Sequence, residues 1–277
     1  MPIVSALWGL ALVTAVSVSL MWNAGMCYRL AHNSREIAVI DAITEAGVNR
    51  AAAALLDPRP ERRWRVDGTP QLFEFEGVQM SISIQDELGK IDLNQAEPSL
   101  LANLLQSAGL DAVAAGNLAD KIVDWRTAVP LKRLNGAKEQ DYRAVGGSYR
   151  PRNGPFQSVD ELLLVMDMPP ALFERIAPAL TVYSGRPLFD PQVAPREALQ
   201  ALPGMTSQNV EATLASRTDQ QLAMDSTIGN RLTALRGRAF TIRTTFPYAG
   251  RPVLQEATVR ITENPNQPFW VLNWRSK

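Results

Sequence analysis

The first residues of the chain form one unbroken apolar segment. Residues 3–22, IVSALWGLALVTAVSVSLMW, contain no charged side chain. As a helix this segment is roughly 30 Å long, which matches the hydrocarbon core of a bilayer. A secretory signal peptide is the alternative, but no Lys or Arg precedes the apolar run and no clear cleavage motif follows it. The pattern therefore predicts an uncleaved membrane-spanning helix.

The helical pattern continues beyond the apolar segment and becomes one-sided. Between Arg29 and Leu56, apolar residues recur at steps of mostly three and four, as on one face of a helix. These residues are Leu30, Ile37, Ile40, Ile43, Val48, Ala52 and Leu55. Asp57-Pro58 predicts the end of the helix, because proline cannot continue the backbone hydrogen bonding. The first element is thus expected to be a single long helix.

Strand patterns flank a helical block. Alternating apolar residues on either side of Glu76-Gly77 predict a β-hairpin, and three segments after Gly237 are again rich in β-forming residues. From Pro98 to Leu180 the apolar spacing is helical, and two further helices are expected near 194–202 and 206–217. Residues 127–156 have little periodicity and predict a long irregular loop.

These patterns predict an α+β fold in which the long N-terminal helix packs on an antiparallel sheet and a large α-helical domain is inserted between its strands. Four segments follow from this reading. They are the transmembrane half of the helix (1–22), the second half of the helix with the first strands (23–94), the inserted helical domain (95–236) and the C-terminal strands (237–277).

Composition argues against several classes of function. Lys and Arg number 28, Asp and Glu number 28, and the formal charge is zero, so no general attraction to nucleic acid is expected. His32 is the only histidine and Cys27 the only cysteine, which leaves little material for a Ser-His-Asp triad, a zinc site or an internal disulfide. The sequence also lacks the common phosphate-binding motifs. We therefore predict that the protein is not an enzyme.

Two segments have the pattern of helix–hairpin–helix units, many of which hold DNA backbones. The first segment is residues 149–168 and the second is residues 198–217, with a Pro203-Gly204 turn. A DNA-binding hairpin presents backbone amides and basic side chains to phosphates, whereas both units here carry acids beside their turns. We interpret them as packing units. The alternative function left open is a membrane-anchored extracytoplasmic binding module, such as a component of a DNA-uptake pilus.

Several motifs, taken in their order along the chain, resemble one family. The motifs are DELGKIDLN (86–94), DKIVDWR (120–126), NGAKEQDY (135–142), YRPRNGPFQSVDELLLV (149–165), IAPALTVYSG (176–185) and WVLNWR (270–275). With the long N-terminal helix and the sheet, this sequence is similar to the minor pseudopilin K family of type II secretion systems. The resemblance extends over essentially the whole chain, and the 149–165 segment is its most specific part.

The resemblance implies a pilin-like sheet, a location and a set of partners. Family members are single-pass proteins of the inner membrane with the main body in the periplasm. They sit at the tip of the pseudopilus with minor pseudopilins I and J, and with H, after processing by the prepilin peptidase. Arg29 and Arg35 follow the apolar segment and by themselves favour a cytoplasmic body. The short basic leader of the family reverses that orientation.

The apolar segment differs from that of ordinary pilins at one position. Pilins carry a glutamate at the fifth mature residue, which meets the terminal amine of a neighbouring subunit, whereas this sequence has Ser5 and no acid up to Trp22. An intramembrane carboxylate is costly without a partner, so the sequence fits a tip subunit. Small residues predict where partner helices pack. With Ser5, the predicted interface residues are Gly9, Ala11, Ala15 and Gly25.

The resemblance also implies calcium binding by the long loop of the helical domain. Oxygen ligands suit Ca²⁺, and the candidate carboxylates here are Asp124, Glu139 and Asp141. The sequence departs from the family pattern at Thr127 and at Lys138, which stands where the family has an acid. The alternative is that the three acids are ordinary surface or capping residues.

Overall fold

The computed structural model describes residues 2–147, 149–224 and 235–276. Residues 148 and 225–234 of the predicted inserted domain lie outside the described residues, as do Met1 and Lys277 in the first and last predicted segments. Helix α1 (Pro2–Leu56) is continuous over 55 residues and ends directly before Asp57-Pro58, as predicted.

After α1 the chain forms the strands of a main sheet and a helical region with two short strands of its own. The strands are β1 (Asp67–Phe75), β2 (Val78–Asp86), β3 (Ile91–Asp92), β4 (Leu180–Thr181), β5 (Ala239–Tyr248), β6 (Arg251–Ile261) and β7 (Phe269–Ser276). The helices after α1 are α2 (Pro98–Ser107), α3 (Ala112–Arg126), α4 (Glu139–Ala144), α5 (Pro170–Ile176), α6 (Arg196–Gln200) and α7 (Ser207–Met224). The fold is α+β, as the sequence predicted.

The main sheet is antiparallel and has the strand order β1-β2-β5-β6-β7. The predicted hairpin joins β1 to β2 through Glu76 and Gly77, which have φ angles of 49° and 76°. Both positive angles suit a tight hairpin turn. The chain between β2 and β5 forms the inserted helical region, so strands separated by more than 150 positions become neighbours in the sheet.

Helix α1 covers one face of this sheet with its second half only. Its buried residues Ile43, Val48, Ala51 and Leu55 pack on apolar side chains of the sheet. The sheet residues in this core are Met80, Ile82, Ile84, Phe240, Ile242, Phe246, Ala257, Val259 and Ile261. Leu30 and Ile37, which share the predicted apolar stripe, stay exposed. Contact with the sheet therefore begins about ten residues later than the sequence pattern suggested.

The helical region has a separate core and its own small sheet. Strands β3 and β4 pair in parallel, Ile91 with Leu180 and Asp92 with Thr181, and they join the start of the region to the segment that precedes α6 and α7. Among the largest fully buried side chains of the second core are Leu101, Leu104, Leu105 and Tyr142.

One predicted helix has a different form. The sequence pattern favours an α-helix after Ser158, with Ser158 and Glu161 in a capping box. The structure instead has a 3₁₀ helix at Val159–Leu164, and the Ser158 side chain makes no capping bond. Glu161 forms an ion pair with Arg152, at 2.6 Å between Nη2 and Oε1, and also accepts from the backbone N–H of Gln157. The capping-box prediction is therefore wrong, because the glutamate takes other partners.

Candidate functional site

The first half of α1 is an uncovered apolar surface. Among the described residues, α1 is the one helix that is long and apolar enough to cross a membrane, and the apolar segment has no buried residue. Trp8 and Trp22 are about three-quarters exposed. A helix this apolar on all sides is stable in a bilayer or against other apolar helices. The geometry indicates a membrane anchor that is also free to contact neighbouring helices.

The five predicted interface residues lie on this helix but do not share one face. All five are exposed, and a side chain added at Gly9 or Gly25 would meet nothing within 4 Å. At about 100° per residue, Ser5 and Gly9 lie on one side of the helix, whereas Ala11, Ala15 and Gly25 lie roughly on the opposite side. The set therefore describes two separate stripes of small residues.

Asp124 is the only one of the predicted calcium ligands that is buried, with 2% of its surface exposed. Its Oδ2 atom accepts a hydrogen bond of 3.0 Å from the backbone N–H of Arg133. Burial raises the pKa of Asp124, and this hydrogen bond opposes the shift. A Cβ atom on Gly136 would lie 1.8 Å from Oδ2, so glycine is required where the loop passes the carboxylate.

The other two predicted ligands are bound to cations of the protein. Glu139 accepts a hydrogen bond of 2.6 Å from Arg143, one helical turn away. Asp141 accepts one of 2.6 Å from the Lys132 ammonium and one of 2.9 Å from the backbone N–H of Lys138. Both hydrogen bonds lower the pKa of Asp141, and the bond from Lys132 has the larger effect.

The three carboxylates are therefore not gathered around one point. Over residues 2–147, 149–224 and 235–276, no group of three or more His, Cys, Asp or Glu side chains is placed to hold a metal ion. The donor set does not fit Ca²⁺, which takes 6–8 oxygen ligands, several of them usually carboxylate oxygens. Calcium binding by Asp124, Glu139 and Asp141 stays a prediction.

A different residue of the loop has the oxygen environment that was expected for an ion. The ammonium of Lys138 donates to the carbonyl oxygens of Asp124 and Thr127, both at 2.7 Å, and to Oδ1 of Asn153 at 3.3 Å. From the sequence, Lys138 was notable only because it differs from the family pattern. The signal that pointed to this position was the replacement of an acid by a cation.

A polar cleft of about 860 Å³ lies between the sheet and the helical region. Several of its charged side chains are paired. Lys90 contacts Glu87 at 2.6 Å, the Thr241 hydroxyl donates to the same carboxylate at 2.7 Å, and Arg243 contacts Glu256 at 2.6 Å. Of these contacts, only the one between Thr241 and Glu87 joins the sheet to the segment that leads into the helical region, whereas the two ion pairs are local to one turn and to one strand pair.

Acidic side chains in both hairpin units also form ion pairs. In the first unit, Asp160 pairs with Arg275 of β7, and Glu161 pairs with Arg152. In the second, Arg196 of α6 pairs with Glu211 of α7. Arg196 is therefore neutralised by a neighbouring acid, which weakens its attraction for a phosphate. The helix–hairpin–helix interpretation stays a prediction.

The geometry defines a class of protein. It is a pilin-like protein whose long helix is half uncovered and half packed on an antiparallel sheet, with a helical domain inserted in the sheet. Residues 82–185 match the family model described as type II secretion system (T2SS), protein K. The matched residues run from the middle of β2 to just after β4 and include the loop around Lys138.

A curated relative and a solved structure agree with this match. Type II secretion system protein K of Klebsiella pneumoniae is 33% identical over 79 residues, which are 28% of this chain. The aligned segment spans about a quarter of that relative, 24% of its length. A chain in the crystal structure of the GspK-GspI-GspJ complex of the enterotoxigenic Escherichia coli type 2 secretion system superposes with a TM-score of 0.62. The superposition covers 89% of this chain and 99% of that chain, at 14% identity.

The resemblance read from the sequence motifs is confirmed. The family model matches this resemblance over residues 82–185, the curated relative agrees with it over 79 residues, and the solved structure shares the fold.

Proposed function

We propose that this chain is the tip subunit of a type II secretion pseudopilus. In this proposal it associates with minor pseudopilins I and J, and with H, initiates assembly and supports export across the outer membrane. Residues 3–22 anchor it in the inner membrane with the body in the periplasm, after processing by the prepilin peptidase. The two halves of α1 carry the proposal: one is uncovered and apolar, and the other is fixed on a folded body.

The uncovered half supports lateral association with other helices in the membrane. Helices in lipid associate by close packing, and small residues allow their backbones to approach. Because the small residues lie on two sides of α1, the helix has room for two neighbours, one on the Ser5–Gly9 stripe and one on the Ala11–Ala15 stripe. The solved structure with the same fold is itself a complex of three proteins, GspK, GspI and GspJ.

Ser5 supports a terminal position in the assembly. Its hydroxyl donates to the carbonyl oxygen of Pro2 at 2.9 Å, so its polar group is satisfied within the helix. A glutamate at this position would need a cation from another subunit to offset the cost of its charge in lipid. A subunit with nothing stacked above it has no such cation to meet.

The test is co-purification of the full chain with pseudopilins I and J from detergent-solubilised membranes. We expect a stable complex with both partners. Gly9→Leu and Ala15→Leu fill the two stripes and are expected to reduce recovery of partners, each affecting one partner more than the other. Ser17→Leu is the matched control, because it adds similar bulk at a small residue that lies between the two stripes at about 100° per residue, and it is expected to keep both partners.

The proposal is wrong if the unmodified chain elutes alone under conditions in which I and J bind each other. An electrophoretic shift assay with single-stranded and duplex DNA would then test the binding-module alternative. A DNA shift that is abolished by moderate salt would favour that alternative.

A further inference from the structure

The C-terminal end of α3 presents carbonyl oxygens that the helix satisfies poorly. The N–H of Thr127 reaches the Asp124 carbonyl only at 3.4 Å, and the carbonyl of Thr127, the residue after the helix, accepts from Lys138 and not from the helix. The last carbonyls of any helix lack partners within it, and they form the negative end of the helix dipole. A cation is the favoured partner at this place.

The Lys138 ammonium is that cation. It reaches two carbonyl oxygens at the end of α3 and the amide oxygen of Asn153, which lies on the far side of the loop. We call Lys138, the carbonyls of Asp124 and Thr127, and the Asn153 amide the Lys138 cluster. An ammonium has three N–H donors, and the cluster offers three oxygens.

The buried Asp124 carboxylate adds charge compensation. The Lys138 ammonium donates to the backbone carbonyl of Asp124 at 2.7 Å, so its positive charge lies close to the residue that carries the buried carboxylate. Burial in turn lowers the pKa of Lys138, and Asp124 opposes this shift. The cluster therefore contains oxygen ligands and one nearby negative charge, as a site for a hard metal cation does.

We propose that Lys138 is an internal, covalently tethered replacement for a divalent cation, and that it holds the loop after α3 without bound metal. The ammonium, at the start of α4, binds carbonyl oxygens at the end of α3 and the amide oxygen of Asn153. A metal ion at this position would hold the same segments together through the same kind of oxygen ligands. The proposal differs from the calcium prediction for Asp124, Glu139 and Asp141, and it is independent of the assembly role.

The test compares the full chain in detergent with three variants, each in calcium, in magnesium and in chelator. Lys138→Met removes the charge and keeps the length of the side chain. Lys138→Glu exchanges the cation for a carboxylate that can ligate an ion. Lys132→Met is the matched control, since Lys132 lies in the same loop but its ammonium binds the partly exposed Asp141 and no other acid within the described residues. The readouts are the melting temperature and cleavage by an arginine-specific protease at Arg133 and Arg143.

We expect the unmodified chain to melt at the same temperature in calcium and in chelator. Lys138→Met is expected to melt roughly 3–8 °C lower and to be cleaved faster in the loop, whereas Lys132→Met changes little. Lys138→Glu is expected to be destabilised in chelator and restored by calcium, and less by magnesium, which demands stricter octahedral geometry.

Three results would overturn the proposal. The first is a rise in the melting temperature of the unmodified chain with calcium, a result that needs no variant to fold. The second is equal behaviour of the Met variants at Lys138 and Lys132. The third is a Lys138→Glu protein with the normal far-ultraviolet circular dichroism spectrum that calcium does not stabilise.

Discussion

The side-chain amide of Asn94 forms a reciprocal pair with the backbone of Phe156. Its Nδ2 donates to the Phe156 carbonyl oxygen at 3.0 Å, and its Oδ1 accepts from the Phe156 N–H at 2.7 Å. The two residues are 62 positions apart and belong to the two family motifs 86–94 and 149–165. The pair fixes the turn after β3 against the segment that follows the long loop.

Asn94→Asp is expected to destabilise the protein by about 1–3 kcal/mol at neutral pH. The aspartate still accepts the Phe156 N–H, but its second oxygen faces the Phe156 carbonyl oxygen with no proton between them. Chemical unfolding at neutral and acidic pH measures the effect. The loss of stability should become smaller as the pH falls, because the new carboxyl becomes protonated. The exposed Asn209→Asp is the control, expected to be within about 0.5 kcal/mol of the original. Equal stability of both variants would contradict the role of the pair.

Two glycines inside helices are expected to respond to alanine in opposite directions. A Cβ atom at Gly47 of α1 would lie 2.7 Å from Cγ2 of Thr244 and 3.2 Å from Sδ of Met80, whereas at Gly116 of α3 it would meet nothing within 4 Å. Both substitutions gain about 0.5–1 kcal/mol of helix propensity. Gly47→Ala also forces helix and sheet apart, which costs about 1–3 kcal/mol. Thermal unfolding should show Gly116→Ala stabilised and Gly47→Ala destabilised, and a shared direction would refute the close contact.

Thr244→Val is expected to stabilise the protein by about 1 kcal/mol. The side chain of Thr244 is fully buried beneath α1, and its hydroxyl has no hydrogen-bond partner within the described part of the chain. Valine has nearly the same shape and removes this unsatisfied group. Thr241→Val on the same strand is the opposite case, because the Thr241 hydroxyl donates to Glu87 at 2.7 Å. Denaturant midpoints should rise for the first variant and fall for the second; the reverse order would show that the Thr244 hydroxyl is satisfied.

The pKa values of Asp124 in α3 and Asp141 in α4 are expected to be shifted in opposite directions from the ordinary aspartate value of 3.8. The pKa of Asp141 is lowered by Lys132 and by the Lys138 N–H, so its contribution to stability is present above pH 3.8 and is lost as the pH falls through the lowered value. Burial raises the pKa of Asp124, which costs stability as the pH rises above 3.8. Carboxyl chemical shifts measured by NMR test the order. The stability difference between the original and Asp141→Asn should shrink on acidification, and a difference that grows would contradict the assignment.

The local parts of the fold were predictable because they repeat along the sequence. The apolar run 3–22, the Asp57-Pro58 stop and the alternation around Glu76-Gly77 each depend on neighbours a few positions away. The extent of burial was less predictable. Leu30 and Ile37 fit the same periodic stripe as Ile43, yet they are exposed, because whether a stripe is buried depends on how far the sheet reaches along the helix.

The candidate sites were predictable only as residue types. The sequence identified small residues in the apolar segment and carboxylates around the loop, and it marked Lys138 as a departure. It did not pair Asp141 with Lys132, because Lys138 and Arg143 are nearer to Asp141 in sequence. It also did not pair Glu139 with Arg143, although the two are four positions apart. The hydrogen-bond partners of Asp124 depend on its burial in the folded domain. No periodic pattern in the sequence predicts that burial.

The sequence by itself determined that the chain has one long helix, apolar and then one-sided, and strands on both sides of a helical block, since these follow from the spacing of apolar side chains. Only the tertiary structure decided which distant groups meet. The Asn94–Phe156 pair, the contact of Gly47 with the sheet and the three oxygens around Lys138 all join residues across loops. Their distances depend on how those loops close, and loop closure is decided by the packing of the whole domain.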